Sequence, residues 1–434
     1  MRKTPASFAS LAALALLASP SADGNPAENG QSHGTAFRTP PVVREPVAQE
    51  SGAEDLLTFA RGVLFVAQTG LASGSGSAAL LAIDGDPYRM GLTTDAKGPV
   101  EFVYKLPAAT TFERFGVPAV VEQPGNVTFV KSVTVSGSMD GPESGFQELA
   151  AFELETHGPD ESVTELDVQV SVPVRWVKVR FEGGINIEPG DEGRTVLWFS
   201  EIMGYGTQEA RELSLAYDGE WDLRLTERTD LRGIPLELTQ DGATIFGCYG
   251  DYRLSGTVNG AIARATGEDP QGRTGALILV ADEDGSIHAS VSVNRGRFGA
   301  RTAVTVPELA PTECAETDEE PVVCGTNVYI NFDVNSAAIR PESEQVLADV
   351  FRRLTEEGAT TVSIRGHTST EGTAEHNLDL SQQRAQAVVD DFVERGFDPA
   401  AISAEGLGES QPLISPDPNE SAREINRRVE ISCG

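Results

Sequence analysis

Basic residues, cysteines and long apolar runs are all scarce in this chain of 434 residues. Its 33 Lys and Arg face 66 Asp and Glu, which gives a formal net charge of −33. A surface of that sign repels nucleic-acid phosphates and anionic lipid headgroups, so neither is an expected partner. The apolar run Phe8–Ala18 is too short to span a bilayer, so we expect no transmembrane segment in the mature chain.

Signatures of catalysis and of metal binding are missing as well. The sequence has no Gly-x-Ser-x-Gly elbow, no Walker loop and no His-Glu-x-x-His motif. Its five His are scattered, and its four Cys lack the two-residue spacing of a zinc ribbon, so we expect no metal and no cofactor. Acidic residues abound, but no pair lies in a recognisable hydrolase motif. The chain is predicted to be non-catalytic, with a glycan hydrolase as the second hypothesis.

The N-terminus and the cysteines both predict export. Residues 1–22 carry a basic start, an apolar run and small residues, the pattern of a secretory signal. No Cys precedes Cys248, which excludes a lipoprotein cleavage site. The four cysteines allow three connectivities. Cys324 and Cys433 bracket the C-terminal domain, and a bridge between them would leave Cys248 to pair with Cys314.

Strand patterns fill most of the chain between a polar spacer at 23–54 and an acidic linker at 306–323. In residues 55–207, apolar residues alternate with polar ones in two runs, at Val168–Val172 and at Val177–Phe181, and Gly-rich turns separate the runs. This pattern predicts a β-sandwich. In residues 210–305, the turns Asp241-Gly242, Asn259-Gly260 and Asp284-Gly285 predict hairpins, and thus a β-meander or small barrel.

Residues 325–434 alternate strands with amphipathic helices. The strand near Val362 runs into Gly366-His367-Thr368, and a helix is predicted from Ser381 to Arg395. Arg384 then falls in the first helical turn, where the helix dipole already supplies positive charge, so a carboxylate is expected beside it. The alternative is that Arg384 pairs with the nearby Asp379. The fold prediction is a multidomain chain, all-β in its N-terminal part and closed by an α/β sandwich.

Four separated motifs within 325–434 resemble the OmpA-like peptidoglycan-binding domain family. They begin at Asn331, Gly366, Asn377 and Asn426, and they read NFDVNS, GHTSTEGT, NLDLSQQRA and NRRVEI. The resemblance implies non-covalent binding of the diaminopimelate stem of peptidoglycan, with Arg384 holding a carboxylate. It also implies a location in the periplasm or at the outer membrane. The implied binding residues are Phe332, Asp333, Thr368, Ser369, Glu371, Asn377, Leu380 and Arg384.

One position departs from that family. Its members usually have Asp directly after Gly-His-Thr, where the carboxylate takes the ammonium of the ligand, and this chain has Ser369. Glu371, two positions on, is the candidate to supply the missing charge. Ser369 also supports a third hypothesis, a structural envelope protein that has lost its ligand.

A second resemblance concerns residues 55–207. The stretches Asp84-Gly85-Asp86 and Leu197–Gly206 are similar to an early loop and to the last strands of discoidin-type, galactose-binding-like domains. That similarity implies carbohydrate binding through loops at one end of the sandwich. The alternative is a sandwich that is structural or that binds another protein. The second β-unit carries no recognisable ligand motif.

Overall fold

The computed structural model describes residues 42–44, 54–71, 76–87, 91–93, 99–118, 130–154, 163–183, 197–312, 314 and 322–434. Within residues 41–434, these segments form one compact unit. The predicted signal at 1–22 lies outside the described residues, as does most of the predicted spacer at 23–54. Among the described residues, no helix has both the length and the apolarity needed to cross a bilayer.

The N-terminal part is built on one large sheet of eight strands. Its strand order is β1-β7-β4-β8-β5-β6, and β2 and β10 also pair with β4. A short helix α1 and a two-stranded sheet of β3 and β9 complete this part. The elements are β1 (Val42–Arg44), β2 (Leu64–Thr69), α1 (Gly76–Leu81), β3 (Gly91–Thr93), β4 (Val100–Pro118), β5 (Val130–Ser138), β6 (Gln147–Glu153), β7 (Val163–Asp167), β8 (Pro173–Gly183), β9 (Leu197–Phe199) and β10 (Met203–Gln208).

The predicted inward face of β8 is confirmed, since Val177, Val179 and Phe181 are all buried. Phe181 packs against Phe199, with ring centroids 5.0 Å apart. The strand predicted at Val168–Val172 is wrong, because β7 ends at Asp167 and β8 begins at Pro173. These five residues form the connection instead, and Val170 in its middle is 52% exposed. Alternating valines were therefore not enough to define a strand where no neighbouring strand continues the pairing.

The next eight strands close into an antiparallel barrel, with every strand paired to its neighbour in sequence and β11 paired to β18. The predicted hairpin turns join consecutive strands, and Gly242 and Gly260 there have φ of 59° and 57°, a conformation that favours glycine. The strands are β11 (Gly219–Leu225), β12 (Ile234–Asp241), β13 (Thr244–Tyr249), β14 (Tyr252–Asn259), β15 (Ile262–Glu268), β16 (Thr274–Ala281), β17 (Ile287–Val293) and β18 (Gly299–Val304).

The C-terminal part has a four-stranded sheet in the order β19-β22-β20-β21, in which only β20 and β21 are parallel. Apolar residues of helices α2 and α3 share one buried core with this sheet. The elements are β19 (Asn327–Val328), α2 (Glu344–Glu356), β20 (Val362–His367), α3 (Ala374–Glu394), β21 (Ile402–Gly408), α4 (Glu420–Asn426) and β22 (Val429–Cys433).

The predicted first strand of this part, Val328 to Phe332, is shortened to two residues. The strand ends there because the next residue, Tyr329, hydrogen-bonds side chains of the barrel and not a neighbouring strand. The Tyr329 N–H donates to the Thr257 hydroxyl at 3.0 Å, and the Tyr329 carbonyl accepts from the Thr257 hydroxyl and from the Asn259 amide. Two side chains of the barrel thus join it to the C-terminal part by hydrogen bonds with the backbone of Tyr329.

Helix α3 begins seven residues before its predicted start at Ser381. Thr373 caps it, with its hydroxyl accepting from the His376 N–H at 3.2 Å. Arg384 therefore lies about three turns into the helix and not in its first turn. The prediction that Arg384 lies at the positive end of the helix dipole is wrong, and the N–H groups of the first turn do not lie beside its guanidinium.

Both expected disulfides are present. Cys324 bonds to Cys433 with a Cα–Cα distance of 5.5 Å, and Cys248 bonds to Cys314 with a Cα–Cα distance of 5.7 Å. The first closes the C-terminal part at its two ends. The second fixes the segment after the barrel to strand β13.

Candidate functional site

The guanidinium of Arg384 is held by neutral groups. Its Nε donates to the carbonyl of Ser336 at 3.0 Å, and an Nη donates to the carbonyl of Asp333 at 3.4 Å. Its central carbon lies 5.0 Å from the ring centroid of Phe332, a cation–π contact. These contacts fix the guanidinium against the loop that follows β19. They orient its charge without neutralising it.

Among the described residues, no carboxylate lies within ion-pair distance of Arg384. The alternative pairing with Asp379 is wrong, because that carboxylate accepts instead from the Gln383 amide at 2.7 Å. Burial and the positive charges of Arg427 and Arg340 together lower the pKa of Arg384 to about 10, against the opposing negative charges of Glu424 and Glu54. A buried cation among like charges is stabilised by an anion, so this position is suited to bind a carboxylate.

The other predicted binding residues follow β20 and line the start of α3. Thr368 and Ser369 are both buried, and no described residue hydrogen-bonds the Thr368 hydroxyl. Asn377, also buried, donates from its amide to the Ser369 carbonyl at 3.3 Å and so holds this loop. Leu380 is buried on the inner side of α3. Its position favours a packing role.

Glu371 is not a free acid in this structure. Its carboxylate lies 3.3 Å from Nη1 of Arg427 and 3.5 Å from Nε of Arg423. The Ser369 hydroxyl reaches the same carboxylate at 3.5 Å. Glu371, the candidate to supply the charge that Ser369 lacks, is thus already ion-paired with two guanidiniums.

Sequence analysis missed a larger set of charges around Arg384. We define the ionic cluster as six arginines and five acids, joined by ion pairs except at Arg384: Arg61, Arg264, Arg340, Arg384, Arg423, Arg427, Glu54, Asp333, Glu371, Glu420 and Glu424. The spacing of Glu420, Arg423, Glu424 and Arg427 was a readable signal, since residues three or four apart pair on a helix. Arg61, Arg264 and Glu54 come from distant segments and had no local signal.

Glu424 is the centre of this cluster. Its carboxylate lies 2.7 Å from Arg61 of the N-terminal part, 2.8 Å from Arg264 of the barrel and 2.7 Å from Arg427. Burial alone would raise the pKa of Glu424, but the three guanidiniums together hold it well below its usual range. One carboxylate thereby connects all three parts of the fold.

The turn at Gly85 brings the N-terminal part onto α4. The Gly85 carbonyl accepts from Arg423 at 2.6 Å. A side chain at Gly85 would approach the Cβ of Glu420 to 2.3 Å, so this close approach requires glycine. The Gly85 N–H donates to the buried carboxyl of Glu201 at 2.9 Å, which joins the two stretches that resemble discoidin-type domains.

Residues 331–427 match the model of the OmpA family, and the C-terminal domain of the chain is OmpA-like. The probable lipoprotein YiaD of Escherichia coli is 35% identical over 114 residues, which are 25% of this chain and 52% of that protein. The chain thus spans about half the length of this relative.

Among solved structures, the peptidoglycan-associated lipoprotein from Burkholderia pseudomallei is 29% identical, with a TM-score of 0.23, over 25% of this chain and 89% of that one. CBM32-3 from a family 31 glycoside hydrolase of Clostridium perfringens is 16% identical, with a TM-score of 0.26. That match covers 36% of this chain and 95% of that one.

Proposed function

We propose that this protein is a non-catalytic component of the cell envelope that binds peptidoglycan without covalent attachment. Arg384 makes a two-point contact with a carboxylate of the diaminopimelate stem. The observation that carries this function is the guanidinium of Arg384, which forms no ion pair with a described carboxylate and is fixed by two carbonyls and the Phe332 ring. The family match over 331–427 supports the identity of the ligand.

The surrounding residues have separate roles in this proposal. Phe332 and the backbone of Asp333 orient the guanidinium, and Asn377 holds the loop that carries Ser369. The Thr368 hydroxyl has no hydrogen-bond partner among the described residues, but it is buried and does not itself face solvent. The ionic cluster contains six guanidiniums and five carboxylates. One carboxylate of a bound ligand would therefore make the net charge of the cluster zero.

Export to the periplasm, in association with the outer membrane, completes this assignment. Two disulfides suit an oxidising compartment. The loops of the N-terminal part then present a second surface, for carbohydrate or for an envelope protein. The contact between Gly85 and Glu201 unites the two stretches that carry the discoidin-type resemblance, but the Gly85 turn packs against α4 and does not itself form that surface.

The hydrolase hypothesis has one feature in its favour. Burial raises the pKa of Glu201 well above its usual range, as a general acid requires. However, Glu201 has no exposed surface, and its carboxyl accepts a hydrogen bond from the backbone N–H of Gly85. A carboxyl that cannot reach a substrate supports the structure and does not catalyse. Release of soluble muropeptides from purified peptidoglycan would contradict the non-catalytic assignment.

Sedimentation with insoluble peptidoglycan tests the function directly. Arg384→Ala should lower the affinity about tenfold to a hundredfold, because a hydrogen-bonded charged contact contributes roughly 1.5–3 kcal/mol. Arg384→Lys keeps the charge but loses the planar fork, so we expect an intermediate loss.

Arg395→Ala is the matched control, since Arg395 follows the same helix and pairs with Asp391. It should bind as the wild type does. Full sedimentation of a folded Arg384→Ala protein would refute the proposal.

A further inference from the structure

One end of the barrel differs in charge from the chain as a whole. Consecutive barrel strands are antiparallel, so every second connection lies at the same end. The β11–β12 and β17–β18 connections both lie at this end, and they are neighbours because Leu225 pairs with Arg301 across β11 and β18. We define the basic rim as residues 224–234 and 293–301. It contains six Arg and two acids, in a chain whose net charge is −33.

The opposite end of the barrel is covered by the rest of the fold. The N–H of Ala243, in the β12–β13 turn, donates to the carboxylate of Asp349 on α2 at 2.8 Å. The carboxylate of Asp282, in the β16–β17 turn, lies 2.6 Å from Nζ of Lys105 in the N-terminal part. In the basic rim, by contrast, every residue from 227 to 232 is exposed. One end of the barrel thus joins the three parts of the fold, and the other end faces solvent.

Most guanidiniums of the basic rim form no ion pair with a described residue. Arg224 pairs with Asp222 and Arg228 pairs with Asp230, both at distances below 3.0 Å. Among the residues that the structure describes, no carboxylate lies within ion-pair distance of the remaining four, which are Arg232, Arg295, Arg297 and Arg301. The rim therefore carries a positive charge that the molecule itself does not neutralise.

Exposed apolar side chains lie among these arginines. Leu225, Leu231, Ile234 and Val293 are each between 40% and 46% exposed, and arginines separate them along the two connections. Exposed apolar groups gathered in one place mark a contact surface. Apolar side chains mixed with cations are typical of protein surfaces that lie in the interface of a bilayer, where the apolar groups enter the headgroup layer and the cations contact phosphates.

The net charge of the whole chain does not prevent such a contact. Exposed charges separated by more than about 10 Å are largely screened at 0.1 M salt. The barrel strands have six to eight residues, so the opposite end of the barrel lies roughly 15–20 Å from the rim. A membrane that faces the rim therefore interacts mainly with its positive charge. The expectation that anionic lipid is repelled applied the average charge of the chain to a surface of the opposite sign.

We infer that the basic rim docks on a bilayer surface that contains anionic phospholipid, with its four exposed apolar side chains entering the headgroup layer. A stable protein interface has a continuous apolar core, whereas the apolar side chains of the rim are interrupted by cations, which favours lipid. The docking surface belongs to the barrel and shares no residue with the proposed peptidoglycan site. It would attach the protein to a membrane while Arg384 holds peptidoglycan.

Flotation of the mature protein with vesicles tests the docking. Vesicles of equal parts phosphatidylglycerol and phosphatidylcholine should bind it about tenfold more tightly, or better, than vesicles of phosphatidylcholine alone, and this preference should fall as salt is added. The double variant Arg232→Gln, Arg297→Gln should weaken binding to the anionic vesicles by roughly tenfold to thirtyfold, because each arginine near an anionic surface contributes about fivefold. Leu231→Ser should weaken it by about fivefold to tenfold, because it removes apolar area from the headgroup layer.

The double variant Arg180→Gln, Arg365→Gln is the matched control, since it removes two exposed charges from β8 and β20. It should bind the anionic vesicles as the wild type does. Equal binding by the two double variants would overturn the inference, as would a wild type that binds anionic vesicles no better than neutral ones. Arg384→Ala should retain vesicle binding, so a failure of docking and a failure of the proposed peptidoglycan binding are distinguishable.

Discussion

The guanidinium of Arg264 on barrel strand β15 lies 2.8 Å from the carboxylate of Glu424 on helix α4, and both side chains are buried. An ion pair taken out of water is stable only when its partners are all present. Glu424 is the one described carboxylate within ion-pair distance of Arg264, and burial lowers the pKa of Arg264. The barrel and the C-terminal domain therefore depend on each other at this contact.

Glu424→Gln should lower the free energy of unfolding by about 3–5 kcal/mol, because it leaves Arg61, Arg264 and Arg427 without their shared carboxylate. Urea unfolding followed by circular dichroism measures the change. Glu356→Gln is the control, since Glu356 forms an exposed pair with Arg352 and should change stability by less than about 1 kcal/mol. Equal effects of the two variants would contradict the assigned role of Glu424.

Acid stability should depend on Glu430. The His367 ring, 3.3 Å away, and the Arg428 guanidinium at 2.6 Å hold the pKa of Glu430 at about 2. A carboxyl with a depressed pKa in the folded state adds stability above its ordinary pKa of 4.5. That stability is lost as the pH falls from 4.5 towards 2.

Unfolding of the wild type and of Glu430→Gln at a series of pH values tests this dependence. The stability difference should reach at most about 3 kcal/mol above pH 4.5 and should shrink as the pH approaches 2. A difference that stays constant across this range would show that Glu430 does not titrate as proposed.

The disulfide between Cys324 and Cys433 should stabilise the C-terminal domain by closing a loop of 109 residues. Chain entropy predicts a loss of about 4–5 kcal/mol when both cysteines are replaced by Ala. Removal of Cys248 and Cys314, 66 residues apart, should cost a similar amount in that model. A loss below about 1 kcal/mol for either pair in denaturant titrations would contradict the prediction.

Local patterns predicted the parts of the fold that local chemistry determines. The Asp-Gly and Asn-Gly turns of the barrel need φ values that few residues adopt, and those turns were found. The motif around Arg384 predicted the candidate site, although its helix begins at Ala374, capped by Thr373, and not at Ser381. The cap at Thr373 was visible in the sequence, but the polar residues after it resembled a loop.

Contacts between distant segments were not predictable in the same way. Glu54 and Arg340 are 286 positions apart in the sequence, and their pairing follows from the packing of two domains. The two-residue length of β19 has a similar origin, because Thr257 of the barrel occupies the hydrogen-bonding groups of Tyr329. Periodicity in one segment carries no information about a partner in another.

The hydrogen bonds at Tyr329 have a consequence for proteolysis. Each disulfide lies entirely on one side of the segment between Cys314 and Cys324, so a single cut there leaves no covalent link between the two pieces. The two pieces would nevertheless stay together through non-covalent contacts. Thr257 and Asn259 of the first piece hydrogen-bond Tyr329 of the second, and Arg61 and Arg264 of the first pair with Glu424 of the second. A nicked molecule would elute as one species from a sizing column and separate only in denaturant.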